Sequence, residues 1–170
     1  MFSNQTNTQS GDKPFIAGSD FTGLAGRVAK LANSAGVAVL SAIAALTDIP
    51  AFLIVDYNVA GKPVTGRPLD GSQNVRITLK GTANPGDVLV LADPATPADA
   101  GKVRTLPATA GVYVQVGYAE EIGVDGQALL TRPDVKSVRV KSADTITGAA
   151  DLAALKVATL AILEAQGLVV

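Results

Sequence analysis

The sequence predicts a mainly β protein, and three observations carry that expectation. First, the stretch 80–133 alternates short apolar runs (Val88–Leu91, Val112–Tyr118, Ala128–Leu130) with Gly, Pro and Asp. That is the rhythm of many short strands joined by tight turns. Second, hydrophobic residues make up 48% of the chain but aromatics only 4%. The apolar mass is therefore Ala, Val, Leu and Ile, which fill pleated surfaces but supply few large anchors. Third, the 17 glycines follow no fixed period, which suits a turn-rich β protein and excludes collagen. At 170 residues the chain suits one domain with a modest core and added arms.

The expected organisation is an N-terminal arm over 1–22, a β domain over 23–143, and a linker with a C-terminal helix over 144–170. The first residues are polar (Ser, Asn, Gln, Thr through Gly11) and bury little. Yet three of the four phenylalanines, Phe2, Phe15 and Phe21, lie in or beside this arm. Two readings stand: Phe2, Pro14, Phe15, Ile16 and Phe21 dock the arm on a partner, or Phe15 and Phe21 pack on their own domain. In the β domain, Arg27–Leu31 alternates as a half-buried strand. The segment Ala35–Leu46 is open between strand and helix. Phe52–Val59 reads as a strand and Ala60–Pro63 as a turn. In Asn74–Leu79, Val75, Ile77 and Leu79 share the inward face, with Arg76 and Thr78 outward.

Asn84-Pro85-Gly86-Asp87 has the Pro-Gly order of a type II turn. A stiff loop follows at 93–101, then a short strand with Val103 and Leu106. Val112, Val114 and Val116 alternate with Tyr113, Gln115 and Gly117. Val124–Gln127 is a hairpin-like turn with an Asp-Gly signal, and Val135, Val138 and Val140 form a last, more polar strand. The segment 149–166 lacks Gly and Pro and stops at Gly167, so a helix is expected there. Leu152, Leu155, Thr159, Ile162 and Leu163 fall on its apolar stripe. A helix this apolar is covered either by its own β domain or by copies of itself. No tandem repeat is evident.

Composition also excludes chemistry. The chain has no Cys and no His, which removes disulfides, thiolates, His-based triads and the usual zinc sites. Net charge is −1 and basic residues are scattered, so no nucleic-acid footprint is expected. The polar N-terminus does not read as a signal peptide, and Ala35–Leu46 falls short of the roughly 20 residues that span a bilayer; a soluble cytoplasmic product with no membrane partner is expected. Asp87, Asp93 and Asp99 lack the spacing of a cation loop and read as turn aspartates. Glu120 and Glu121 are adjacent, so on a strand they point to opposite faces. Phosphate-loop motifs are absent. The expectation is a non-enzyme without catalytic residues, metal or cofactor.

Several short pieces in order resemble one family. They are Gly86-Asp87-Val88-Leu89-Val90, Gly101-Lys102-Val103, Val116-Gly117-Tyr118-Ala119 and Asp125-Gly126-Gln127-Ala128, with Gly26-Arg27-Val28 and Ala60-Gly61-Lys62-Pro63-Val64 before them. Over roughly residues 24–133 the chain resembles the capsid decoration (cement, head-stabilising) proteins of tailed bacteriophages. The resemblance implies a small β-barrel or β-tulip-like domain. It also implies a homotrimer on the outer surface of the mature head, bridging major capsid protein subunits. The rival expectations are a phage tail, baseplate or receptor-binding module, and a carboxylate hydrolase, which lacks a paired acid site.

Overall fold

The computed structural model describes residues 11–109 and 111–141. They form ten strands: β1 (Lys13–Ala17), β2 (Val28–Ser34), β3 (Val37–Ala42), β4 (Phe52–Ile54), β5 (Pro63–Pro68), β6 (Val75–Thr78), β7 (Val88–Leu91), β8 (Val103–Thr105), β9 (Gly111–Ala119) and β10 (Ala128–Lys141). One 3-10 turn covers Pro97–Asp99. The mainly β expectation holds. The segment expected to form a C-terminal helix, with Leu152, Leu155, Thr159, Ile162 and Leu163, lies outside the described residues, as does Phe2.

The first five strands close into a barrel in the order β1-β3-β2-β4-β5. β1 closes it, pairing parallel with β3 (Ile16 beside Val39) and antiparallel with β5 (Phe15 beside Val64). The other five form an antiparallel sheet, β6-β10-β9-β7-β8, curled into a half-barrel. Its edge strands meet at one parallel bridge, Leu79 with Val103, where the Lys80 N–H donates to Val103 O at 2.7 Å.

Period-two alternation explains how the two units share a core. In β2 and β4, Ala29 and Ile54 point into the barrel with Ala17, Phe21, Leu40 and Val64. Their neighbours Val28 and Leu53 point the other way and pack with Ile77, Leu79, Leu89, Val103, Val116 and Leu129 of the half-barrel. This wall is buried on both faces, so Phe52-Leu53-Ile54 is an unbroken apolar run. Backbone bonds fix the joint: Val28 N–H donates to Gly101 O (2.8 Å) and Thr78 N–H to Gly26 O (2.8 Å).

Several boundaries differ from the sequence expectation for identifiable reasons. The strand expected over 52–59 stops at Ile54. Downstream, the Asp56 carboxylate accepts from the Thr65 N–H (2.6 Å) and hydroxyl (2.8 Å), and the Asn58 side chain accepts from the Val59 N–H (3.0 Å). The open segment 35–46 is strand as β3. It then turns where the Asp48 carboxylate accepts from Ala44 and Ala45 N–H. Residues 13–17, placed in the arm, are a barrel strand, and Phe21 is fully buried.

The half-barrel contains an internal repeat that the sequence does not display. Residues 75–91 and 115–131 are identical at two of seventeen positions, Gly86/Gly126 and Leu89/Leu129. Their backbones nevertheless make equivalent bonds forty residues apart. Gly86 N–H donates to Ala119 O (2.8 Å) and Gly126 N–H to Leu79 O (2.9 Å); Ala119 N–H donates to Asp87 O (3.0 Å) and Leu79 N–H to Gln127 O (2.8 Å). Each turn thus clasps the strand end that leads into the other. Ala83 and Gly123 sit at the centre and exchange two bonds, 3.1 and 2.9 Å. Pairing follows the same offset: Val88 with Tyr118 and Ala128 with Thr78; Leu89 with Gly117 and Leu129 with Ile77.

Candidate functional site

The paired turns are built by the same local rules from different residues. Gly86 and Gly126 both have positive φ (88° and 78°), a conformation that glycine adopts without a Cβ clash. The next residue supplies a side-chain acceptor. The Asp87 carboxylate accepts from Asn84 N–H at 2.8 Å, and the Gln127 carbonyl accepts from Val124 N–H at 3.1 Å. Two interlocked turns with matching scaffolds provide an internal control for what each turn presents.

The control exposes one difference. The outward positions of the first turn carry Thr82 and Asn84. The equivalent positions of the second carry Ile122 and Val124, 70% and 59% exposed. The backbone tolerates polar residues at both places, so the fold does not require apolar ones there. The second turn therefore presents two exposed aliphatic side chains that the packing of the matched turn does not demand.

No protein-family model matches the chain, and no curated protein matches it.

The carboxylates considered for chemistry are placed apart. Glu120 pairs with Arg132 (2.9 Å) and Glu121 with Arg76 (2.7 Å). Glu121 also accepts from Leu130 N–H at 2.9 Å. That bond first, then Arg76, holds its carboxyl below the usual range. Asp87 and Asp93 cap turns, the latter accepting from Ala95 N–H at 3.0 Å. Asp99 is more than the turn aspartate expected. It is nearly buried and binds Lys102 at 2.9 Å and Lys80 at 3.4 Å. The Lys102 hydrogen bond is the main cause of its lowered pKa. Among the described residues no group of three or more acidic side chains could hold a metal ion. An open cleft of about 370 Å³ lies between Asp87, Val88, Thr105 and Leu106. Among the described residues no helix is long and apolar enough to cross a membrane.

The residues read as a docking arm separate into two sets. Phe21 lies in the barrel core, and its N–H donates to Asn58 O at 2.9 Å. Phe15 is half-buried and meets Phe52 edge-on, centroids 4.7 Å apart. Both therefore pack on their own domain. Pro14 and Ile16 remain exposed on β1. Sequence reasoning missed Ile122 and Val124 because single exposed aliphatics are ordinary. Only the structural equivalence to Thr82 and Asn84 gives them meaning.

The depressed carboxylates fix a pH dependence. A folded pKa below the unfolded value of about 4 stabilises the protein above that value, and the stabilisation is lost as pH falls through the folded pKa. Asp99, Glu121, Asp48 and Asp12 all shift this way. With no His in the chain, no side chain of ordinary pKa titrates between pH 5 and 8. The expected result is a Tm that is flat from pH 8 to 5 and falls below pH 4. The fall is smaller in Asp99→Asn. A decline centred near pH 6 contradicts this.

Proposed function

We propose that this protein is a structural virion component that binds the exterior of a mature phage head and bridges neighbouring capsid subunits. The observation that carries the reading is the apolar second turn. Ile122 and Val124 are exposed where the matched first turn presents Thr82 and Asn84. The ordered sequence pieces that resemble capsid decoration proteins supply the partner class. The binding is physical. A protein that binds only the expanded lattice stabilises it by mass action, and several linked contacts raise effective affinity without one strong site.

In this reading the chain acts as a homotrimer. Leu152, Leu155, Thr159, Ile162 and Leu163 form subunit contacts, and the N-terminal residues with Pro14 and Ile16 add contact area. The alternative is a phage tail, baseplate or receptor-binding module. A receptor-binding face draws on exposed aromatics, and among the described residues Tyr57 is the large exposed one.

The test is co-sedimentation of the chain with expanded and unexpanded capsids that lack it. Saturation at a fixed ratio on expanded shells alone is the expected result. The double variant Ile122→Thr/Val124→Asn installs the residues the fold already uses at equivalent positions. It is expected to keep Tm within about 2 °C, since surface changes stay within about 0.5 kcal/mol, and to weaken capsid binding about tenfold or more. Wild-type binding with an unaffected double variant removes the turn from the interface. No wild-type binding to either shell favours the tail or receptor-binding module.

A further inference from the structure

At the joint between barrel and half-barrel, two lysines pair with one carboxylate and an arginine binds the carbonyl of the next residue. Lys102 Nζ lies 2.9 Å from Asp99 Oδ1 and Lys80 Nζ 3.4 Å from Asp99 Oδ2. Arg27 Nη1 donates to the next carbonyl, Ala100 O, at 3.0 Å. The three come from separate places: the residue before β2, the segment after β6 and the loop before β8. They are brought together by the backbone bonds of the joint, Val28 N–H to Gly101 O, Lys80 N–H to Val103 O and Lys102 N–H to Asp99 O.

The charges do not balance. Among the described residues Asp99 is the one acidic partner of Lys80 and Lys102, and Arg27 makes no ion pair. Asp125 lies beside the next residue, accepting from Gly81 N–H at 2.7 Å, and makes no ion pair with Lys80. Asp99 alone against Arg27, Lys80 and Lys102 gives a formal +2 for these four groups, in a chain whose net charge is −1. The cluster is poorly hydrated at its base, where Asp99 and Lys102 side chains are 12% and 13% exposed. Charge excess in such a place is weakly screened. Burial pulls the Arg27 pKa down although Asp99 opposes the shift, as expected for a cation without a full counter-charge. Lys80, nearly half exposed, opens the cluster to solvent.

We propose that Arg27, Lys80 and Lys102 form a binding site for an oxyanion, a carboxylate or phosphate group, with Asp99 as the built-in anion that holds the two lysines together. A planar or tetrahedral oxyanion accepts from the lysine ammoniums and the remaining Arg27 N–H groups as charge-assisted bonds. The ligand bridges the two β units, since Arg27 belongs to the barrel and the lysines to the half-barrel. This site lies apart from the Ile122 turn and stands whether or not the chain binds capsids.

The test uses the full chain in chloride buffer. Sodium phosphate and sodium acetate are titrated in separate arms at constant ionic strength, with Tm and amide chemical shifts as readouts. The expected result is saturable binding that shifts the amides of residues 27, 80 and 99–102 and raises Tm. Lys80→Gln, at an exposed position, keeps the fold and weakens binding about tenfold. Saturation by both anions marks a carboxylate, such as a partner's acidic side chain, as a sufficient ligand. Saturation by phosphate alone marks a doubly charged one. Non-saturating shifts spread over the chain, or equal affinity in Lys80→Gln, overturn the proposal.

Discussion

Replacing Phe21 with Ala is expected to destabilise the protein by about 4 kcal/mol, the middle of the range for a buried Phe. Tm then falls by about 10 °C. Phe21 is the largest side chain with no exposure, and it fills a five-stranded barrel whose other interior groups are Ala17, Ala29, Leu40, Ile54 and Val64. An interior of this kind has no spare volume to collapse into, so the cavity cost adds to the lost transfer energy. The residue sits on the connection between β1 and β2, where its N–H and C=O bind Asn58 O and Leu24 N–H. Losing the ring therefore loosens the connection as well as the core. Thermal unfolding of Phe21→Ala checks this; a Tm within 2 °C of wild type shows that the ring does not fill the barrel.

Of the two readings of Phe21, docking on a partner and packing on its own domain, the buried position selects the second. The polar composition of residues 1–11 drew a boundary at residue 22, but β1 supplies the wall that closes the barrel. Its neighbour β5 was equally hidden. Pro63, Gly66 and Pro68 interrupt any alternation, although the strand pairs on both sides with β1 and β4. Val75, Ile77 and Leu79 face the core as expected; in β9 the expected alternation fails, since Val114 and Val116 are buried but so are Tyr113 and Gln115, and Val112 is exposed. The interlocked repeat was illegible for a different reason. Its information lies in hydrogen-bond offsets and in an acceptor one residue after a glycine, which Asp87 and Gln127 supply with different side chains. Contact residues followed the same pattern. Ile122 and Val124 carry no motif, and only their polar counterparts in the matched turn distinguish them. The cation cluster was invisible because residues 27, 80 and 102 meet only through the joint.

Gly117→Ala is the second large effect, and its sign is diagnostic. A glycine replaced by alanine at a permissive site stabilises a protein by about 0.4–1 kcal/mol, because the unfolded chain loses freedom. At Gly117 the added Cβ meets Arg132 O at 2.2 Å, Arg132 C at 3.0 Å and Pro133 Cα at 3.1 Å. All three are backbone atoms, so no side-chain rotation relieves the contact. Gly117 lies in the central strand β9, held by Leu89 of β7 on one side and Pro133 of β10 on the other. Pro133 has no N–H to give the ladder, and the register of β10 slips just beyond it. The equivalent position in the first half holds Ile77, fully buried and paired with Leu129 of β10. Moving β10 away from residue 117 disturbs Thr131, Arg132 and the clasp at Ala119 together. We expect a loss of about 3 kcal/mol in urea unfolding, with faster amide exchange in β9 and β10 than in the barrel. Gly71→Ala is the control, since its nearest neighbour is Pro133 O at 3.8 Å. If both substitutions stabilise, β10 does not approach Gly117 as described. If Gly117→Ala alone destabilises, the close passage of these two strands is what seats the second turn.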